Sequence, residues 1–219
     1  MTLRRDLEFF ENVGEAVRVR GGARYIKEQG AAQEDIYELR EIKNRCAKEH
    51  IAEKAVGFAE QGRSIFIDSG TTAMCLARLL PDAPLAILTS GPNVAVEVSA
   101  KFKPSVTLIG GLINRASLSV SGMQAMEFIK DFNIDIAFMV ASAFSAEDGF
   151  TCGNIAECEL KRAVAAKAKK TIMLADCAKA GKSMPFTFAR MEDIDVLITE
   201  CEPPAEIVAA AQNKTEILW

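Results

Sequence analysis

The sequence predicts an α/β fold: a Rossmann-like, mainly parallel sheet with helices on both faces. Three observations carry that expectation. From Leu39 onward, apolar runs of strand length alternate with helical stretches, the order that builds βαβ units. The strand runs are apolar throughout, as in strands covered on both faces. Several of them run out into glycine and hydroxyl residues before the next helix, and the carboxyl edge of a parallel sheet is where small ligands bind. At 219 residues and 49% hydrophobic content, the chain is long enough for one such core and a small appendage.

Residues 2–12 place Leu3, Leu7 and Phe10 on one helical face, with Arg4 and Arg5 off it, and Gly14 is a stop signal. Ala16 to Arg20 reads as a short extended segment and Gly21-Gly22 as a turn. Residues 25–38 are polar and weakly periodic, a linker that marks the domain boundary. One long helix is expected over 39–61, with Ile42, Cys46, Ile51, Ala55 and Phe58 inward and Gly62 ending it. Strands are then expected at 64–67, 85–88, 106–109, 134–140, 171–174 and 196–199. Helices are expected at 72–80, 93–100, 124–131, 157–168 and 205–212.

A net charge of −4 gives no whole-chain attraction to nucleic acid, so any DNA contact must come from a local patch. Six cysteines form no CxxC pair, and the single histidine, His50, has no cysteine at finger spacing, so neither a metal site nor a cofactor is expected. There is no export signal and no apolar run near the ~20 residues of a membrane span. A cytoplasmic protein with free thiols is the expectation, with Cys75, Cys158 and Cys201 helping to fill apolar packing.

The segment Asp68-Ser69-Gly70-Thr71-Thr72 leaves an apolar strand, turns through a glycine and enters a helix. Free N–H groups and hydroxyls at a helix start bind phosphate, although simple capping by Thr71 or Thr72 is favoured from these residues alone. Thr89-Ser90 and Gly110-Gly111 leave the next two strands in the same way. Each alone is an ordinary turn, and together they suggest one ligand-bearing edge. Between Glu157 and Lys182 there are seven Lys/Arg against three Asp/Glu, mostly a solvated helix face. Lys179 differs because it closely follows a strand end, where an ammonium can meet an anionic ligand. Asp176 beside it would accept from sugar hydroxyls or pair with Lys179.

Several motifs share an order and spacing with one known family. They are Asp68 to Thr72, Gly110-Gly111 with Arg115, Leu118, Ser119 and Gly122, Asp148-Gly149-Phe150-Thr151, Glu159-x-Lys161-Arg162, Asp176-x-x-Lys179-x-Gly181 and Asp193 to Thr199. Over residues ~39–200 the chain resembles the sugar-phosphate sensor domain of DeoR-family transcriptional repressors (the DeoR/GlpR type), whose fold is similar to ribose-5-phosphate isomerase and the CoA-transferase-like enzymes. Thr2 to Leu7, Gly14 and Arg20 to Ala23 resemble the recognition helix and wing of the family's winged helix-turn-helix. The two preceding helices of that domain are not in the sequence, and a short isolated helix is marginal in water. The resemblance therefore implies three segments: a truncated DNA-binding remnant at 1–24, a linker at 25–38 and an effector-binding domain at 39–219. Arg20, Val140 to Ala143, Thr89-Ser90 and Ala180 depart from the family's usual residues, mostly at ligand-facing loops.

What the resemblance implies is a repressor of carbohydrate metabolism and not an enzyme. It would sense a phosphorylated sugar through Asp68, Ser69, Gly70, Thr71, Thr72, Thr89, Ser90, Gly110, Gly111, Asp176 and Lys179. Operator DNA, touched by Arg4 and Arg5, is expected as a partner only in a full-length form, and the assembly is expected to be a homodimer or homotetramer. A sugar-phosphate isomerase on the same fold stays open, because fold does not decide function. So does a truncated paralogue without DNA binding. The isomerase would need a carboxylate base near the phosphate cradle, and the turn at 140–143 offers only Ser142.

Overall fold

The computed structural model describes residues 16–19, 22–25, 35–211 and 214–219. The helix expected over 2–12, with Arg4 and Arg5, and most of the 25–38 linker lie outside these residues. The first described elements are β1 (Ala16–Val19) and β2 (Gly22–Tyr25), paired antiparallel.

Two helices stand where one was expected, α1 (Tyr37–Ile42) and α2 (Arg45–Ala55). Asn44 separates them in the left-handed region at φ 53°, a conformation that asparagine tolerates better than most residues. The α1 carbonyls orphaned by the break are satisfied from inside: buried Lys48 donates to Arg40 O and Lys43 O. The break also re-aims the helix face. Ile51 and Ala55 are fully buried, whereas Cys46, expected inward, is exposed.

A seven-stranded sheet organises the rest. Its strands are β3 (Ser64–Ile67), β4 (Ala86–Thr89), β5 (Ser105–Leu108), β8 (Ile136–Val140), β11 (Lys170–Leu174), β13 (Val196–Ile198) and β14 (Glu216–Leu218). Their order is β14-β13-β11-β8-β3-β4-β5, and every neighbouring pair is parallel. The six expected strands all appear, and β14 is an edge strand too short to read from its residues. Helices α3 (Thr71–Leu79), α4 (Pro92–Ser99), α5 (Met123–Asp131), α6 (Ile155–Lys167) and α7 (Ala205–Ala211) complete the βα alternation.

Successive residues of each strand serve opposite faces, so the sheet carries two cores. Ile65, Ile67, Phe138, Ile172 and Ile198 pack with α2, α3 and α4 on one side. Phe66, Ala137, Met139, Met173 and Leu197 pack with α5, α6 and α7 on the other. Each large side chain buried this way contributes roughly 1.5–3 kcal/mol. The central strands are therefore apolar along most of their length because both faces are covered, whereas the edge strands β5 and β14 are partly exposed.

Two short antiparallel units were not foreseen. The hairpin of β6 (Leu112–Asn114) and β7 (Ser119–Ser121) follows β5. A three-stranded sheet is built from β9 (Ala143–Ser145), β10 (Gly149–Cys152) and β12 (Phe186–Ala189). Phe144 and Phe150 stack there at 5.6 Å between ring centres and anchor this sheet to the α6 core. All six cysteines are free. Cys75, Cys152 and Cys158 are buried, whereas Cys201, expected in apolar packing, is exposed on a loop.

Candidate functional site

The strand order reverses between β3 and β8. Chain segments after β3 build the sheet outward to β4 and β5, while those after β8 build it the other way. Connections leaving a parallel sheet in opposite directions open a crevice at the carboxyl ends of the two strands. A small open cleft lies there. It is lined by Ser69 to Thr72 after β3, by Val140 to Ser142 at the end of β8, and by Arg40, Ser117, Glu157, Lys161 and Lys179.

The β3 side is an array of donors. Gly70 is the residue before α3 and sits at φ 107°, and a Cβ there would lie 3.2 Å from Val140 Cγ2. Both conformation and space therefore require glycine. No side chain caps α3, so neither Thr71 nor Thr72 acts as its cap. The helix's own bonding begins with Met74 N–H to Gly70 O at 3.0 Å, which leaves the N–H groups of Thr71, Thr72 and Ala73 without an acceptor inside the helix. Their partial positive charge is the feature that attracts an anion. Gly70→Ala is expected to lower the thermal midpoint and weaken anion binding together, since the turn must shift by a few tenths of an ångström against Val140. Unchanged midpoint and affinity in a phosphate titration would remove the glycine from this account.

Asp68 lies beneath the cradle rather than in it. Its Oδ1 accepts from Ser69 N–H (2.8 Å) and Ser90 Oγ (3.3 Å), and its Oδ2 from Val140 N–H (3.1 Å) and Lys161 Nζ. These four donors fill the acceptor sites of a carboxylate, which leaves no room for sugar hydroxyls. Lys161 also donates to Val140 O at 2.9 Å, and its ammonium lies 5.2 Å over the Phe188 ring. Burial pushes Lys161 down, but the Asp68 carboxylate together with Cys152 and Glu157 outweighs it and holds the lysine above its ordinary value. The basic run is thus not a solvated face throughout, because it contains the buried and hydrogen-bonded Lys161.

Glu157, also read within that run, is 5% exposed. Its Oε1 accepts from Asn114 Nδ2 (2.9 Å), Ser117 Oγ and Ser119 Oγ. One carboxylate of α6 thereby holds the β6–β7 hairpin over the cleft.

A group of cations faces the cradle. Lys179 donates to Ala141 O at 2.9 Å and pairs with Asp176 Oδ2 at 3.3 Å. Asp176 is 1% exposed, accepts from Asn44 Nδ2 at 3.0 Å and does not line the cleft. Of the two readings of Asp176, the structure shows the pairing with Lys179. Burial raises the Asp176 carboxyl, but Lys179, Asn44 and Lys48 together hold it below the usual carboxylate range. Lys48 is pushed down to about 8 by burial and then by the positive charge of Lys179. Arg40 reaches the cleft from α1, with its guanidinium 6.0 Å over the Tyr37 ring.

The other expected site residues fall elsewhere. Thr89 is fully buried, and its hydroxyl accepts from Gly91 N–H at 3.0 Å. Ser90 lines a smaller space below the cleft with Asp68, Ser119 and Lys161. Gly110 and Gly111 are exposed and line neither. The close approach that needs Gly111, at φ 147°, is to the backbone of the hairpin, where a Cβ would meet Ser121 O at 2.5 Å. The physical reason is topological: β4 and β5 lie one and two strands away from the switch point.

Known proteins resemble the chain in two parts. The description of the DeoR C terminal sensor domain matches residues 43–201, and that of the DeoR-like helix-turn-helix domain matches residues 1–29. The transcriptional regulator GlpR of Haloferax volcanii is 34% identical over 91% of this chain and 77% of its own length. The regulator GolR of Listeria innocua is 34% identical over 91% and 78%, respectively. A putative aga operon transcriptional repressor of Escherichia coli is 30% identical over 94% and 77%. Among solved structures, an eIF2B β2δ2 complex from C. thermophilum superposes with a TM-score of 0.51 at 14% identity, over 81% of this chain and 62% of that one. That likeness concerns the fold alone. A ribose 5-phosphate isomerase from Methanocaldococcus jannaschii gives 0.46 at 16% identity, over 63% and 55%.

Proposed function

The chain belongs to the DeoR family of transcriptional regulators, and from that premise we propose that the cleft at the switch point is its effector site and takes a phosphorylated sugar. The observation that carries this reading is the meeting of the free α3 N-terminus at Ser69 to Thr72 with Lys179 and Arg40 in one cleft. A phosphate dianion has its donors and its counter-charge there. Glu157, Ser117 and Ser142 line the same cleft and can meet hydroxyls. Residues 1–24, with Arg4 and Arg5, are assigned to operator DNA in a full-length form, residues 25–38 to a linker and 39–219 to effector binding and homo-oligomer contacts, in the cytoplasm. Effector binding would weaken operator affinity by favouring one of two assembly states. The site is a binding site in this reading: its two innermost carboxylates, Asp68 and Glu157, are held by three or more donors each, an arrangement that fixes them instead of freeing them as bases.

Calorimetric titration with matched sugars and sugar phosphates tests the assignment. Phosphorylated sugars are expected to bind and their unphosphorylated partners to bind far more weakly. A charge-assisted hydrogen bond is worth ~1.5–3 kcal/mol, so Lys179→Met should weaken the phosphorylated ligand roughly 10- to 150-fold. It should also lower the thermal midpoint, because Asp176 stays buried without its cation. Equal binding of both sugar forms would overturn the phosphate reading.

The depressed Lys48 adds a pH dependence. Below about 8 its ammonium adds to the field of Lys179 and Arg40, and above that value it is lost. A phosphate monoester is already a dianion there, so affinity should fall as pH rises from 7 to 9. The fall should be about tenfold at most, as for a charge interaction of roughly 1 kcal/mol. Lys48→Met should flatten the profile. A profile that stays the same in the variant would show that Lys48 does not contribute.

A further inference from the structure

We propose that Cys177, Glu200 and Cys201 form a site for a thiophilic divalent cation of the zinc class. The register of the sheet brings the three together. Strands β11 and β13 are parallel neighbours with Leu174 opposite Ile198. Cys177 and Cys201 each follow those paired residues by three positions, so the two loops deliver their thiols to the same place. The Sγ atoms and a Glu200 carboxylate oxygen all lie within 4.8 Å of one another. Among the described residues this is the single grouping of three such ligand atoms. Tetrahedral zinc bonds sulfur at ~2.3 Å and carboxylate oxygen at ~2.0–2.2 Å, so its ligands stand ~3.5–4 Å apart and the cluster closes on a cation with small side-chain movements.

The surroundings already orient the ligands. Cys177 N–H donates to both Glu200 oxygens, at 3.1 and 2.9 Å, and so holds the carboxylate beside the thiol. When one oxygen turns to a metal, the other keeps this bond, as metal-bound carboxylates commonly do. The Cys177 thiol now donates to Cys201 O at 3.3 Å. That carbonyl also accepts from Thr199 Oγ1 at 2.7 Å, so it stays paired when the thiol proton leaves. On binding, each thiol releases its proton to solvent, two metal–sulfur bonds and one metal–oxygen bond form, and water fills the fourth position. Cys177 and Glu200 are half-buried and Cys201 is exposed, so the cation has a path in. The inference rests on these two loops and is independent of what the cleft binds.

Cobalt(II) added to the fully reduced full chain, without oxygen, is the probe. Wild type is expected to bind one equivalent with thiolate-to-cobalt charge-transfer absorption in the near ultraviolet. Zinc should displace the cobalt and protect two thiols from alkylation. Cys177→Ser and Cys201→Ser should each weaken cobalt at least tenfold and lower the charge-transfer intensity. Glu200→Gln should weaken binding while keeping the thiolate band, and Cys46→Ser, at an exposed cysteine outside the cluster, should change nothing. Circular dichroism checks folding, and if Cys177→Ser fails that check the exposed Cys201→Ser decides. No charge-transfer band in wild type, or a band that survives Cys201→Ser at full strength, would overturn the site.

Discussion

Lys161→Met is expected to cost about 3–5 kcal/mol of stability, the range for removing one partner of a buried ion pair. Methionine nearly fills the space of the lysine stem, so packing loss contributes little and the change is mainly electrostatic. It strands the Asp68 carboxylate, 2% exposed, with three neutral donors and no cation. A domain of ordinary stability has only about 5–15 kcal/mol in total, so the loss is a large fraction of it. Denaturant titration measures it directly, with the midpoint falling and the slope unchanged. Asp68→Asn combined with Lys161→Met should cost less than the two single changes summed, because the double variant buries no charge. A midpoint within about 1 kcal/mol of wild type would mean that Asp68 is neutral or hydrated in the native protein, and the strut reading would fail. The consequence for function follows from position. Lys161 and Asp68 join the end of β3, the end of β8 and helix α6, so the floor of the cleft depends on them.

Much of this architecture is legible in the residues, and the failures have separate physical causes. The foreseen strands of the main sheet declare themselves because covering both faces makes most positions of the central ones apolar. The turn at Ser69 to Thr72 is legible because a strand end, a required glycine and a helix start follow in five residues, although those residues alone favour capping over an anion cradle. Thr89-Ser90 and Gly110-Gly111 carry the same local signature and mislead. Which strand end faces the crevice depends on the order of strands in space, and no short segment encodes that order. Asn44 breaks a helix through one residue's left-handed backbone, an event that periodicity averages away. Lys161 and Glu157 are a different case, because a signal was present. Glu157, Lys161 and Val164 fall at i, i+4 and i+7, one stripe of α6, and Cys158 and Leu160 flank it with further buried positions. Two charged residues on the apolar stripe of an amphipathic helix are what a site looks like in sequence, and counting them within a basic run concealed it. The approach of Cys177 to Cys201 has no such signal, since strands β12 and β13 and their connections lie between the two in sequence.

Glu157→Ala is expected to have the second-largest effect, and its signature should be local. The carboxylate takes hydrogen bonds from Asn114, Ser117 and Ser119, all of them on the β6–β7 hairpin or in its turn. That turn passes through Leu118 at φ 51°, a left-handed conformation costing of order 1–3 kcal/mol that persists only where its surroundings enforce it. Bonds to a charged acceptor contribute ~1.5–3 kcal/mol each when removed singly. The three share one oxygen, so their sum overstates the effect, and a loss of about 3 kcal/mol is the expectation. Hairpin opening should then become cheaper than global unfolding. Amide hydrogen exchange is expected to accelerate at residues 112–121 and to remain slow in β8 and β11 at the centre of the sheet. Glu157→Gln keeps an acceptor oxygen and should restore most of the protection. Ligand affinity adds a readout that a purely structural role would not move. If Glu157 also meets a ligand hydroxyl, Glu157→Gln will weaken sugar phosphates while inorganic phosphate, which the proposed cradle at Ser69 to Thr72 would hold, binds as in wild type. Equal loss for both ligands would confine Glu157 to holding the hairpin in place. Unaltered exchange at 112–121 in Glu157→Ala would refute even that.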